Sequence, residues 1–407
     1  MKKTEGGVTA AKGYQASVAA AGIKYQNRTD MALVTSQVPA AVAGVFTTNV
    51  VKAAPVLWDQ AIVKNHETAQ AMVINSGIAN ACTGEEGRRI NDAMAQAVAE
   101  ELGYEKEAVL TASTGVIGMQ IPLDRIQAGA KLLVPALSDS LEAGNAAAKA
   151  IMTTDTVCKE CAVSFEIGGK TVTLGGMSKG SGMIHPNMAT MICVLTTDVS
   201  IKKELLQELL SENVKESFNM ISVDRDTSTN DTYVIFANGL AENPTITEKN
   251  EDYEKVKEAL EYVSKTLARS MAKDGEGATK LIEATVLHAN TKQEAVTLAK
   301  SVICSPLVKT AVYGCDSNWG RTLCALGYSG VSFDPEKVDL SLKSSAGELQ
   351  IVKDGMDSGY SEDTATKILS EDEITFIIDM KQGNDTATAW GCDLTYDYVK
   401  INGDYRS

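Results

Sequence analysis

Five consecutive apolar residues, Met191-Ile192-Cys193-Val194-Leu195, follow a stretch crowded with glycine, Gly175-Gly176-Met177-Ser178-Lys179-Gly180-Ser181-Gly182, and a His185-Pro186 step. An unbroken apolar run of this length suits a β-strand covered on both faces, where a half-exposed strand would alternate. A strand buried on both sides needs a layer above and a layer below. The chain is therefore expected to build layered sheets flanked by helices. With 407 residues it is long enough to bury such a core without disulfides or metals.

The rest of the chain alternates in the same sense. Ala71–Ile74 is a short apolar run, and Val109-Leu110 leads into Ser113-Thr114-Gly115. Ile90, Met94, Val98 and Leu102 recur every fourth residue, which predicts a helix over Arg88–Leu102 with one buried face, stopped by Gly103. Ser138–Met152 reads as an alanine-rich helix. Ala162–Ile167 and Thr171–Leu174, joined by Gly168-Gly169, read as a β-hairpin. In the second half Tyr253, Val256, Leu260, Val263 and Leu267 form a helical stripe, Thr291 and Glu294 form a capping box, and Ile374–Ile378 is a late strand. Asn243-Pro244 and the Asp274–Gly277 turn are the candidate boundaries.

Charge narrows the function classes. Lys plus Arg is 38 against 53 Asp plus Glu, a net of −15, and 1–189 is nearly balanced while 190–407 carries almost all of the excess. A nucleic-acid binder is expected to show a basic face, so none is expected here. Met31–Val51 is uncharged but contains Ser36, Gln37, Pro39, Thr47, Thr48 and Asn49, which hydrocarbon penalises; it reads as strands and a turn, with no membrane partner. No apolar signal segment follows Met1-Lys2-Lys3, and the eight scattered cysteines read as buried reduced thiols. A cytoplasmic location is expected.

Most familiar chemistries fail on spacing. His66, His185 and His288 share no metal-ligand interval, so no metal site is expected. Gly176-Met177-Ser178-Lys179-Gly180 matches a hydrolase nucleophile elbow by letter, but a hairpin precedes it and no helix can start before His185-Pro186. Neither a GxxxxGK[ST] loop nor a GxGxxG between strand and helix is present. What remains is Thr190 at the head of the buried run, after Ala189. Its hydroxyl is placed to attack the carbonyl before it, and cleavage there would leave a free α-amine beside the nucleophile as its own base. Read from the residues alone, a threonine that opens a strand for β-propensity reasons is much the commoner case.

The segment from Lys179 to Leu195 closely resembles the ornithine acetyltransferase family, the bifunctional glutamate N-acetyltransferases of arginine biosynthesis. Further motifs run in family order from about residue 70 to the end: Ser113-Thr114-Gly115-Val116-Ile117-Gly118, Met152-Thr153-Thr154-Asp155-Thr156, Asp224-Arg225-Asp226-Thr227-Ser228-Thr229-Asn230-Asp231-Thr232, Gly275-Glu276-Gly277-Ala278-Thr279-Lys280, Asn318-Trp319-Gly320-Arg321, Ala389-Trp390-Gly391-Cys392-Asp393-Leu394-Thr395 and Ile401-Asn402-Gly403-Asp404-Tyr405-Arg406-Ser407. The resemblance implies an α/β fold, a layered α-β-β-α sandwich of the N-terminal-nucleophile kind over 1–280, with a smaller C-terminal α/β domain over 281–407. It implies autocleavage between Ala189 and Thr190 into α (1–189) and β (190–407) chains that assemble as a heterotetramer. It also implies Thr190 as nucleophile, Thr114 and Gly115 as the oxyanion hole, and Thr153, Lys179, Thr190, Glu276, Asn402 and Ser407 as substrate-binding residues.

On that resemblance the reaction carries acetyl from N-acetylornithine through acetyl-Thr190 to glutamate, giving ornithine and N-acetylglutamate. No cofactor is expected. An enzyme that also takes acetyl from acetyl-CoA is an open alternative, as is a related amidase or aminopeptidase in which water replaces glutamate, or an uncleaved amino-acid-binding protein. Three residues depart from the family pattern: Arg225 where glycine is common, Ser317 where proline is common, and Gly403 where alanine is common. Trp319 and Trp390 are read as packing residues.

Overall fold

The structure is a computed structural model that describes residues 1–185 and 191–405. It divides into two compact units, one formed by 1–183, 191–219 and 226–267, the other by 184–185, 220–225 and 268–405.

In the first unit the strands are β1 (Lys2–Thr4), β2 (Tyr14–Ala19), β3 (Met31–Phe46), β4 (Thr68–Asn75), β5 (Val109–Ser113), β6 (Lys159–Ile167), β7 (Lys170–Lys179) and β8 (Ile192–Thr197). After β9 (Ile221–Ser222), which belongs to the second unit, comes β10 (Thr232–Ala237). Among the described residues the hydrogen-bonded order is β1-β6-β7-β8-β10-β3-β4-β5, with β2 also on β3. Where the sequence predicts strands and a turn over Met31–Val51, the structure has one strand of 16 residues. β3 pairs β2 along Met31–Ser36 and β10 along Ala41–Phe46, and its pairing to β4 shifts register between Thr35 and Ala40. Pro39 lies in that break, where its missing N–H costs no ladder bond.

β3 thus joins two leaves of one sheet, and side-chain alternation sorts the layers. Leu33, Ala71, Val73 and Val109 meet Ile90, Met94 and Val98 of α2 (Gly84–Leu102) and Ile126 and Ala130 of α3 (Leu123–Leu133). The opposite faces, through Val34, Met72, Ile74 and Leu110, meet Met177, Ile192, Val194, Val234 and Phe236 of the other leaf. Beyond that leaf, Cys193, Leu195, Tyr233 and Ile235 are fully buried. The Tyr233 hydroxyl bonds Asn213 of α5 (Lys203–Glu216) at 2.9 Å and Ser264 of α6 (Glu251–Lys273) at 2.6 Å. Helix, sheet, sheet, helix is the expected α-β-β-α arrangement. The apolar run that led to it, β8, is buried along its whole length.

Local signals place the elements to within a few residues of their observed ends. β6 and β7 turn through Gly168 and Gly169 at φ 56° and 76°, the double positive φ of a type I′ hairpin. The helix expected from Ser138 to Met152 is α4 (Leu141–Ala150), with the Ser140 hydroxyl accepting the Ala143 N–H at 3.2 Å. Ser178, the letter match to a nucleophile elbow, is a buried residue inside β7 and not on an elbow.

One buried acid makes a pH prediction. Asp59 sits on α1 (Ala54–Asn65) with no exposure; it accepts the Thr111 N–H at 2.9 Å, and its Oδ2 has no hydrogen-bond partner among the described residues. Burial pushes its carboxyl well above the ordinary range, against the pull of the Thr111 bonds. A carboxyl raised in the fold stabilises fully below its unfolded value of roughly 4, and that contribution is lost as pH rises through the folded value. Asp59→Asn, which never ionises, is therefore expected to melt higher than the parent at neutral pH. The difference should shrink toward pH 4. A melting difference that does not change with pH would show that Asp59 is already ionised in the fold.

The second unit carries β9, β11 (Leu281–Ala289), β12 (Asp339–Ser344), β13 (Gly347–Lys353), β14 (Met356–Asp357), β15 (Glu373–Asp379) and β16 (Asp385–Cys392), ordered β14-β13-β12-β15-β11-β16-β9 among the described residues. α7 (Lys292–Cys304) packs on β11 and β16, and half of its expected capping box is present: the Thr291 hydroxyl accepts the Glu294 N–H at 3.2 Å, while Glu294 Oε2 has no hydrogen-bond partner among the described residues. α8 (Pro306–Tyr313), α9 (Trp319–Gly327), α10 (Glu362–Leu369) and α11 (Tyr396–Gly403) complete it. Among the described residues no single helix is long and apolar enough to cross a membrane. The cysteines are all free, but only Cys193 and Cys392 are buried and Cys82 and Cys324 are exposed, so the expectation of uniformly buried thiols holds for part of the set.

Candidate active site

β5 ends at Ser113, and the chain leaves the sheet through Thr114 and Gly115. The Thr114 N–H still donates to the Asn75 carbonyl of β4, at 3.0 Å, which fixes the turn to the sheet edge. Gly115 has φ 130°, and a Cβ there would lie 2.3 Å from the Gly77 backbone, so no other residue fits. Among the described residues the Gly115 N–H makes no hydrogen bond, while those of its neighbours do.

Lys179 is the last residue of β7 and is 3% exposed. A lysine so buried needs several acceptors. Its Nζ donates to Thr153 Oγ1 at 2.9 Å and to Thr114 Oγ1 at 3.1 Å, and lies 3.9 Å from Asp155 Oδ2. The structure thus brings three residues singled out from sequence, Thr114, Thr153 and Lys179, to one point. An ammonium only donates, so the Thr114 oxygen is the acceptor and its own O–H proton remains to be given elsewhere.

Asp155 organises the segment before β6. Its carboxylate accepts the Thr153 N–H at 3.1 Å, the Gly180 N–H at 2.7 Å and Lys159 Nζ at 2.8 Å. Thr154 Oγ1 and Ser181 Oγ, 2.8 Å apart, add a second tie to the glycine-rich stretch. Burial alone would raise the Asp155 carboxyl, but the Lys179 and Lys159 ammonium groups and the Gly180 N–H overcome it and hold it down to about 2. Asp155 and Lys159 were not singled out from sequence. Asp155 belongs to the Met152–Thr156 motif, but nothing in one sequence shows that a residue four positions on turns back to it.

β8 is placed against this cluster by the ladder itself. Lys179 lies directly opposite Ile192 in the antiparallel β7–β8 pair. Ala189 and Thr190 lie outside the described residues, as does Ser407. Just past Thr190, the Met191 N–H donates to Asp231 Oδ1 at 3.0 Å, and burial pushes the Asp231 carboxyl well above its usual range.

In the second unit Glu276 and Asn402 come together. Asn402 Nδ2 donates to Glu276 Oε2 at 2.8 Å, with Glu276 8% exposed and Asn402 on the open side of α11. The segment after β16 clamps the Glu276 loop: Asp393 Oδ1 accepts the Thr279 and Lys280 N–H groups at 2.8 and 3.0 Å, and Thr395 Oγ1 donates to the Gly277 carbonyl at 2.7 Å. Of the departures, Arg225 has φ 70°, a conformation that glycine adopts without strain, and a Cβ on Gly403 would meet nothing within 4 Å. Trp390 is buried and donates Nε1–H to Glu283 at 2.7 Å, a packing role as expected; Trp319 is half-buried.

Hydroxyls, a buried ammonium and a glycine N–H that bonds no described residue stand together at one end of a four-layer α/β unit, a set suited to an enzyme that stabilises the oxyanion of acyl transfer. The ArgJ family model matches residues 15–407, and the chain belongs to the ArgJ family. It is 51% identical over 407 residues to the arginine biosynthesis bifunctional protein ArgJ of Caldanaerobacter subterraneus subsp. tengcongensis, covering all of both chains. It is 52% identical over 409 residues to that of Symbiobacterium thermophilum, again over all of both. Among solved structures, an arginine biosynthesis bifunctional protein argJ from Bacillus halodurans is 46% identical, aligned over 51% of this chain and 96% of its own, with a TM-score of 0.49.

Proposed function

We propose that this protein is a glutamate N-acetyltransferase of arginine biosynthesis that works through an acetyl-Thr190 ester. Thr190 first breaks its bond to Ala189: its hydroxyl attacks the Ala189 carbonyl, the acyl group shifts from nitrogen to oxygen, and water hydrolyses that ester, giving fragments of 189 and 218 residues. Its new α-amine, with an unperturbed pKa near ~8, takes the hydroxyl proton. The hydroxyl attacks the acetyl carbonyl of N-acetylornithine; the C–N bond breaks, the amine leaves with the proton, and ornithine departs. The glutamate amine then attacks the ester carbonyl, the C–O bond to Thr190 breaks, the amine's proton passes through the α-amine to the Thr190 oxygen, and N-acetylglutamate leaves. Each transfer passes through an oxyanion, for which the Thr114 O–H and the Gly115 N–H are the donors. Lys179 and Thr153 take the substrate carboxylate, Glu276 with Asn402 takes an ammonium, and Ser407 closes the set. No metal or other cofactor enters. The α and β chains pair as a heterotetramer in the cytoplasm.

The observation that carries this reading is the convergence of Lys179 on Thr114 and Thr153, directly across the ladder from Ile192, the first residue of β8 and two positions past Thr190. Mass spectrometry tests it. The purified enzyme should contain a chain starting at Thr190, and N-acetylornithine without glutamate should leave an acetyl group on that residue. An acetyl adduct on any other side chain overturns the assignment.

The acetyl-CoA alternative uses the same ester and differs only in the donor; N-acetylglutamate made from acetyl-CoA and glutamate alone would establish it. Glu276→Ala supplies a separate check. Removing a charged hydrogen-bonding partner costs about 1.5–3 kcal/mol. The variant is expected to cleave normally and to raise KM for N-acetylornithine roughly 10–100-fold. An unchanged KM removes Glu276 from the site.

A further inference from the structure

Behind Lys179 lies a second buried lysine that the proposed reaction does not use. The Lys159 side chain is 1% exposed, that of Asp155 0%, and that of Lys179 4%. The single carboxylate is shared. Asp155 Oδ1 is 2.8 Å from Lys159 Nζ and also accepts the Gly180 N–H, whereas Oδ2 accepts the Thr153 N–H and stands 3.9 Å from Lys179 Nζ. The closer, better-aligned ion pair is therefore with Lys159. Lys179 Nζ donates to Thr153 and Thr114, and at 3.9 Å the acid stands beyond hydrogen-bond reach of it.

We propose that Asp155 and Lys159 are a positioning pair that sets how strongly the Lys179 ammonium attracts the substrate's carboxylate. The inference rests on the reading of Lys179 as the carboxylate-binding group. Asp155 holds the Thr153 segment and the start of the glycine-rich stretch against the end of β7. Left alone with Lys179, it would turn its negative charge on that ammonium and oppose any carboxylate arriving there. Lys159 draws that charge backward. In a space this dry the competition is strong, because neither water nor salt screens it well. Lys159 thus acts on substrate through Asp155 and Lys179, without touching it.

Charge arithmetic separates this role from a merely structural one. Lys159→Gln removes one positive charge from the cluster and leaves Asp155 to Lys179. Adding Asp155→Asn to that variant restores the formal charge of the parent. The readout is discrimination: kcat/KM for N-acetylornithine divided by kcat/KM for its α-carboxamide analogue, measured on the cleaved enzyme. K159Q is expected to lower the ratio about 10-fold, and the D155N/K159Q double variant to recover most of it, a non-additive coupling of neighbouring sites. A double variant that discriminates less well than K159Q overturns the proposal, since two structural losses compound. Should K159Q fail to fold, Lys159→Arg keeps the charge and should keep the parent ratio; a ratio that falls in K159R, with its melting temperature unchanged, is equally contrary. A parent enzyme that treats acid and amide alike overturns the Lys179 reading itself, which distinguishes that failure from failure of the pair.

Discussion

Thr190→Ala is expected to run as a single 43.2 kDa band on a denaturing gel and to transfer no acetyl group. The two losses have one origin. The hydroxyl that breaks the Ala189–Thr190 bond is the one that later carries the acetyl group, and the α-amine that activates it exists only after the break. A general base typically contributes 10²–10⁴-fold, and the covalent route through Thr190 would be lost as well. The variant is therefore expected to fall by at least about 10⁴ in kcat/KM. Thr190→Ser separates the steps, because it keeps a hydroxyl: it should cleave and retain measurable transfer. An active, uncleaved T190A enzyme would refute the nucleophile outright. A cleaved but inactive one would move the cleavage chemistry to another group while leaving Thr190 as acetyl carrier.

The sequence disclosed the fold through patterns whose causes are local. The unbroken apolar run at β8 announced a two-faced strand, the four-residue spacing of Ile90, Met94 and Val98 announced α2, and Gly168-Gly169 announced the hairpin. β3 was misread because its 16 residues include polar positions and a proline, which usually signal a turn. Here they mark the place where one strand changes partners, and partner exchange is a tertiary event. The site divides in the same way. Thr114, Thr153 and Lys179 each stand in a motif visible in the sequence, and the structure draws them together through β5, the segment before β6, and β7. Asp155 and Lys159 were missed because their roles come from burial and mutual approach. No spacing rule encodes an acid that accepts two backbone N–H groups and a lysine four residues later outside any helix.

Thr114→Val tests the oxyanion reading with little change of shape. Valine fills nearly the same volume, so β5 and the turn at Gly115 should keep their place, and the variant should melt close to the parent. It loses the hydroxyl donor, and losing one such donor costs about 3 kcal/mol in the transition state. It also loses the oxygen that accepts from Lys179, but the ammonium keeps Thr153 at 2.9 Å and Asp155 at 3.9 Å. Binding should therefore suffer less than turnover. The expected result is a kcat lower by roughly 10²–10³ with KM changed only several-fold, and Thr114→Ser should restore most of the rate. A variant that raises KM and leaves kcat intact would make Thr114 a prop for Lys179. The developing negative charge would then be left to the Gly115 N–H, whose glycine cannot be replaced because a Cβ would strike the Gly77 backbone at 2.3 Å.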